Sequence, residues 1–309
     1  VDKRQQIILR ASWVAIAGNA LLALLKIVIG LFAGSMAVVA DGIDSATDIA
    51  TSTITLVTAK IMSRPPNIKY PYGYEKADTI ATKVLSFIIF FAGAQLAISS
   101  VERIVEGRYS ELPSWIAVYV TIFSIVSKLS LSVYLRTTGK RANSSMLIAN
   151  AKNMQNDVIT SASVLAGLFF VFVLHLPVLD LITALLVSIW IMRVALKMFF
   201  ETNLELMDGM QDPVFYCELF KAVKTVPGAE NPHRVRVRKL GSYHMISMDI
   251  EVEPDLSVRE AHEIAQKVES EIRRSLPNVY DIVVHVEPRG DDNSQEKFGL
   301  REKDIENLN

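Results

Sequence analysis

A single cysteine, Cys217, in a chain of 309 residues excludes a disulfide framework and any cysteine-rich metal cage. Charge of one sign is also lacking. The 32 Lys and Arg nearly cancel the 33 Asp and Glu, so no basic field is available to hold a nucleic acid. No G-x-x-x-x-G-K-[ST] loop occurs, which argues against an ATP-driven pump and for ion-gradient coupling. The charged start VDKRQQIILR is not followed by a short apolar core with a small-residue cleavage site. The first apolar segment therefore reads as a retained span and not as a signal peptide.

What the chain has in quantity is apolar sequence, concentrated before residue 205 or so. A membrane span needs about 20 mostly apolar residues. Six segments qualify, at 8–33, 36–60, 78–104, 113–135, 145–174 and 178–200. Basic residues near the span ends set the orientation. Lys3, Arg4 and Arg10 precede the first span, Lys60, Arg64, Lys69 and Lys76 follow the second, and Arg136, Lys140 and Arg141 follow the fourth. On the opposite side only Arg103 and Arg108 are basic, and Glu102, Glu106 and Glu111 accompany them. Both termini and everything after the sixth span are thereby expected in the cytoplasm of a cell whose inner membrane the chain crosses.

Two of the six spans are polar. The second contains DGIDSATD, with Asp41, Asp44 and Asp48 along one helix face at i, i+3 and i+4 spacings. An ionised carboxylate in hydrocarbon costs several kcal/mol or more, and like charges one turn apart repel. Either a cation sits among them or protons remain bound. The fifth span contains NAKNMQND, where Asn153 and Asp157 repeat the i, i+4 spacing. At ~1.5 Å per residue, both pairs lie near mid-membrane. Two helices, each presenting two oxygen donors one turn apart, can supply four ligands to one divalent ion. Two other readings stay open: the acids pair with Lys26, Lys128 or one another, or they form a metal-free proton relay. An enzyme would need a nucleophile or base at the membrane surface, whereas these groups are mid-span and paired.

From residue 212 the pattern changes to helix, strand, strand, helix, strand, through PVFYCELFKAVKTV, RVRVRKLG, HMISMDIEVE, SVREAHEIAQKVESEIRRSL and YDIVVHVEP. Period-2 alternation in MDIEVE and VVHVEP marks half-buried strands. This order over about 75 residues suits a small sheet with helices on one face. Residues 290–309 are polar with little to bury and are expected to be a disordered tail or a frayed helix.

With these residues in place the chain resembles the cation diffusion facilitators, a family of metal–proton antiporters. The resemblance rests on GNALLALLKIVIGLFAGSMAVVADGIDSATD in the first two spans, YPYGYEKAD entering the third and NMQND in the fifth. It covers nearly the whole chain except the charged tail. It implies a six-span transport domain at 1–208 and a ferredoxin-like cytoplasmic domain at 209–289 that dimerises and binds regulatory metal. The resemblance assigns the transport ligands to Asp44, Asp48, Asn153 and Asp157, with Asp41 outside that quartet as a supporting or exit-path carboxylate. Cytoplasmic ligands map to His233, Asp249, His262, His285 and Glu287, while His244 is expected to be structural. Lys76 and Asp208 map to a charge interlock at a homodimer interface.

Two departures from the zinc-transporting pattern bear on substrate. Asn153 stands where those members carry His, which makes the site three carboxylates and an amide. Oxygen ligands suit Mn²⁺, whereas imidazole suits Zn²⁺. Tyr70 and Tyr74 stand where some members have loop histidines. Tyrosine, with a pKa of about 10, is a poor divalent ligand at neutral pH, so the loop metal site is expected to be absent. The expectation is a multi-pass α-helical membrane protein, not an enzyme and without a resident cofactor, that exchanges cytoplasmic divalent metal, Mn²⁺ above others, for protons. A Zn²⁺, Fe²⁺ or Co²⁺ exporter is the near alternative, and a membrane-anchored metal sensor without transport is the distant one.

Overall fold

A computed structural model describes residues 3–108, 111–142, 144–209, 212–241, 243–290 and 298–306. The chain divides into two compact units, one comprising Val1–Ser63 and Ala81–Phe200, the other Arg64–Ile80 and Glu201–Asn309.

The first unit is built from six long helices: α1 (Lys3–Ala33), α2 (Met36–Met62), α3 (Ala77–Val105), α4 (Ile116–Arg141), α5 (Ser145–Leu174) and α6 (Val178–Leu206). Among the described residues five helices are long and apolar enough to cross a membrane. The sixth, α2, has the length at 27 residues but not the composition, because it carries the three Asp and a run of Ser and Thr. The helix faces turned away from the bundle expose Leu24, Phe32, Phe91, Tyr119, Phe169 and Leu186. Exposed apolar surface on this scale needs an apolar partner, and here lipid is that partner.

The bundle core joins the N-terminal half of α2 to α3, α4, α5 and α6 through Met36, Val39, Leu85, Ile89, Val120, Leu168 and Ile191. Helices α1 and α2 cross closely at Gly42, where a Cβ would lie 2.9 Å from the backbone nitrogen of Ile27. That crossing brings Lys26 against the polar stretch of α2.

The two halves of α2 are held differently. Its first amides, which no intrahelical carbonyl can satisfy, are met by Asp180 from the first turn of α6. The backbone N–H of Met36 donates to Asp180 Oδ2 at 2.7 Å, and Ser35 Oγ donates to Asp180 Oδ1 at 2.6 Å. The C-terminal half instead carries a ladder of hydroxyls donating to the preceding turn. Thr47 donates to the carbonyl of Asp44 at 2.7 Å, Thr51 to Thr47 at 2.9 Å, Thr55 to Thr51 at 3.0 Å and Thr58 to Ile54 at 2.9 Å.

The second unit contains α7 (Pro213–Lys224), β1 (Glu230–Leu240), β2 (Tyr243–Val252), α8 (Val258–Ser275), β3 (Val279–Pro288) and α9 (Glu302–Glu306). Local sequence sets these limits. Asp212 caps α7 by accepting from the amides of Val214 and Phe215, with Pro213 in the first turn. Ser257 and Glu260 form a reciprocal capping box at the start of α8. The sheet order is β1-β2-β3, antiparallel between β1 and β2 and parallel between β2 and β3, with α8 as the crossover. Ile246, Met248, Ile250 and Val252 point to one face and meet Phe220, Val268 and Ile272 of the helices. The α+β arrangement expected from the sequence is the one found.

The tail departs from its expectation. Among its described residues, Leu300 pairs with Val235 of β1 through backbone bonds of 2.9 and 3.0 Å. Ile305 of α9 is buried in the domain core, and Glu302 accepts from Lys224 at 2.6 Å. Gly299 (φ +94°) passes so close to β1 that a Cβ would lie 2.5 Å from the backbone of Arg234. Three well-placed residues, a glycine and two aliphatics, dock a segment that is otherwise mostly polar. Residues 291–297 and 307–309 lie outside the described residues.

Candidate metal centres

The four Asp singled out on α2 and α5 fall into two groups. Asp41 is buried and lies 2.7 Å from the Nζ of Lys26, which is equally buried. Lys26 also donates to Ser45 at 3.3 Å and Ser161 at 2.9 Å, and Ser161 is 2.9 Å from the other Asp41 oxygen. This network ties α1, α2 and α5 together and leaves Asp41 fully engaged. Asp41 is thus part of a buried ion pair, and pairing with Lys26 is one of the readings the sequence leaves open.

The second group is less closed. Asp48 on α2 and Asp157 on α5, both half-buried, are near enough to repel one another electrostatically. Asp44, one turn earlier on α2, is near enough to interact electrostatically with Asp157. Asn153 lies one turn before Asp157 on α5 and is exposed. The structure thus brings Asp44 and Asp48 to bear on Asp157 and leaves Asn153 exposed. Among the described residues these carboxylates do not close to within 4.8 Å of one another as a set of three. Lys128 of α4 supplies a contact that the sequence named only as an alternative: its Nζ lies 3.1 Å from Asp157 Oδ2. An isolated lysine in an apolar span was the signal available for it.

In the second unit, ligand atoms of His233, Asp249 and Glu287 all lie within 4.8 Å of one another. Strand register explains why. His233 of β1 is paired with Asp249 of β2, which is paired with His285 of β3, and Glu287 follows two residues later. Because side chains alternate across a strand, these groups share the sheet face opposite the Ile246–Val252 row. His233 Nδ1 is 2.7 Å from the carbonyl of Asn231, and Nε2 is 3.2 Å from Glu287 Oε2. That pattern orients the imidazole as a second contact does in metal sites. His285 stands at the exposed rim, 3.5 Å from Glu287 Oε1.

The structure does not bring His262 to this group. It is exposed on α8, where it contacts Gln266 at 3.0 Å, and α8 packs on the other face of the sheet. A member missed by sequence reasoning is Arg234, whose Nη1 lies 2.6 Å from Asp249 Oδ2. Its backbone is left-handed (φ 47°), which turns it toward Asp249 although its neighbour His233 belongs to the same cluster. His244 takes no part. Burial and the nearby Lys239 lower its pKa, and its ring lies 4.5 Å from that of Phe215.

Lys76 and Asp208, expected as an interlock, meet at 2.6 Å within the second unit and remain partly exposed. Asp208 follows α6 in a left-handed conformation (φ 57°) that Asp tolerates better than most residues. In the loop before α3, Tyr70 and Tyr74 pack on each other at 4.6 Å, and Tyr74 accepts from Asn67 at 2.7 Å.

Comparison with known proteins matches both units. The cation efflux transmembrane domain aligns with residues 12–207, and the cation efflux protein cytoplasmic domain with residues 211–289. The uncharacterized transporter YdbO of Bacillus subtilis is 35% identical over 87% of this chain and 91% of its own. The manganese efflux system protein MneS of the same organism is 30% identical over 89% of this chain and 93% of its own. Among solved structures, the metal-bound C-terminal domain of the CzcD transporter from Thermotoga maritima is 37% identical, covering 26% of this chain and 98% of that one at a TM-score of 0.26. A domain match that takes in α1 through α6, joined to one that takes in the three-stranded sheet, places the chain in the cation efflux, or cation diffusion facilitator, family of divalent metal transporters.

Proposed function

We propose that this transporter exchanges cytoplasmic Mn²⁺ for external protons as a homodimer in the cell's inner membrane, with both termini in the cytoplasm. The observation that carries this reading is the electrostatic coupling of Asp44 and Asp48 of α2 to Asp157 of α5, with Asn153 one turn before Asp157 on the same helix. Every donor in that set is oxygen, which favours Mn²⁺ over Zn²⁺. Similarity to MneS, named as a manganese efflux protein, supports the same substrate. Asp44, Asp48, Asn153 and Asp157 take the ion from the cytoplasmic side. When the site opens to a more acidic outside, protons replace it, because carboxylates left without metal in a desolvated site hold protons more tightly.

The cytoplasmic cluster of His233, Asp249 and Glu287, with His285 at its rim, is proposed to bind a second divalent ion as regulator. Lys76 and Asp208 are proposed to brace the dimer. The test of the reading is a metal competition series in proteoliposomes under an imposed pH gradient. Mn²⁺ should drive the largest proton counterflow. Metal uptake that ignores the gradient would remove the antiport reading, and a preference for Zn²⁺ would remove the manganese reading alone.

A further inference from the structure

Lys128 sits midway along α4, and its side chain is 1% exposed. A lysine in that position is costly unless a negative group answers it, and Asp157 does so at 3.1 Å. Its charge also bears on Asp44 and Asp48. Among the described residues the other buried lysine of the unit, Lys26, is committed to Asp41 at 2.7 Å. Asp41 and Lys26 also act on Asp44, but as an opposed pair they cancel, which leaves Asp44, Asp48 and Asp157 facing the ammonium of Lys128. When all three acids are ionised, one ammonium leaves two negative charges, the charge of one divalent cation.

We propose that Lys128 is a built-in counter-charge of the transport site: it trims three carboxylates to the charge of a single divalent ion and competes with that ion for Asp157. This inference rests on the proposed assignment of Asp44, Asp48 and Asp157 to the travelling ion. Two consequences follow from electrostatics. The loaded site is neutral, so it crosses the low-dielectric part of the membrane without an uncompensated charge. The ammonium contact also weakens the hold on the metal, which favours release. Without Lys128, the loaded site would keep one negative charge. It would bind the metal more tightly, release it more slowly and admit a monovalent cation beside it. Lys128 is a specificity-determining residue here, not a ligand.

The experiment uses the full chain in proteoliposomes at alkaline pH, with Mn²⁺ as the transported ion and Na⁺ or K⁺ as challenger. Lys128→Gln should lower the KM for Mn²⁺ by about tenfold, since a unit charge at this range is worth at least that factor. It should also lower kcat and make transport sensitive to the monovalent ion. Lys128→Arg should stay near wild type. An unchanged KM with no monovalent sensitivity in Lys128→Gln, or a Lys128→Arg protein that behaves like Lys128→Gln, overturns the proposal. If Lys128→Gln does not fold, Lys128→Gln combined with Asp157→Asn restores the balance of charge. Recovery of a folded protein in that pair supports the counter-charge, and failure of the pair overturns it. Asp48→Ala separates the two levels of the argument. Full Mn²⁺ flux in that variant removes the site itself, whereas abolished flux beside a wild-type Lys128→Gln removes only the role of Lys128.

Discussion

Lys26 Nζ and Asp41 Oδ2 lie 2.7 Å apart, and neither side chain reaches solvent. Removing one partner of such a pair strands the other in a low-dielectric interior, at a cost of about 3–5 kcal/mol. Lys26→Met should therefore lower the unfolding temperature of the detergent-solubilised protein markedly, and adding Asp41→Leu should recover much of the loss. Asp41→Asn, which keeps a polar contact, should transport more metal than Asp44→Ala. An Asp41→Asn protein that is stable but inactive would move Asp41 into the transport site.

Asp44 and Asp48 make a sharper contrast. Alanine at either position should abolish metal-driven proton flux while the purified protein keeps its size and helical content. Each substitution deletes a donor but leaves the Lys26–Asp41 network untouched. Proton flux followed with a trapped pH dye, alongside size-exclusion chromatography, checks both halves of the expectation.

Asn153 sets the next expectation. Asn153→His puts a nitrogen donor where the native chain offers an amide oxygen, and Zn²⁺ favours nitrogen in tetrahedral sites. The ratio of Mn²⁺ to Zn²⁺ transport should fall, with total transport retained through Asp44, Asp48 and Asp157. A constant ratio would mean that Asn153 does not face the ion.

In the cytoplasmic domain the expected pattern discriminates between histidines. Metal binding to the folded domain should raise its melting temperature. His233→Ala and Glu287→Gln should erase that rise, because both groups belong to the cluster. His262→Ala should leave it intact, since that side chain lies on α8 beside Gln266. Differential scanning fluorimetry with Mn²⁺, Zn²⁺ and Co²⁺ makes the comparison.

The C-terminal segment should contribute to stability. Ile305 is 3% exposed, and truncating a buried isoleucine to alanine costs about 2 kcal/mol or more. Ile305→Ala should lower the melting temperature of the domain by several degrees, and deletion from residue 298 onward should lower it further. A change of less than a degree in either would show that the pairing of Leu300 with Val235 carries little of the fold.

What could be read from the sequence was what its own neighbourhood determines. The alternation of MDIEVE shows which side of β2 carries the apolar core, and Ser257 with Glu260 announces the start of α8. Asp44, Asp48 and Asp157 stand out because carboxylates in apolar helices need a reason. What stayed hidden depends on distant partners. Asp180 reaches the amides of α2 from a position 144 residues along the chain from Met36, and nothing near it in sequence signals this. The tail appeared to have little to bury because Leu300 and Ile305 are sparse among polar residues. Their docking depends on a glycine that fits against Arg234. His262 came from alignment to a pattern, and only the packing of α8 showed that it lies on the wrong side of the sheet. Arg234 was masked by its neighbour: in a regular strand adjacent side chains point apart, and its left-handed backbone breaks that rule.

The two ends of α2 give its central carboxylates an unequal mechanical setting. At the N-terminal end, Asp180 ties the helix to α6, so any tilt there must carry α6 along or break three hydrogen bonds. At the other end, threonine hydroxyls share the carbonyls of the preceding turn, an arrangement that bends helices and loosens their backbone ladder. A rod clamped at one end and pliant toward the other flexes at the boundary between the two. In α2 that boundary falls at Asp44 and Asp48, so a modest sway of the threonine-rich half would move the carboxylates relative to Asp157 while the clamped half kept its place.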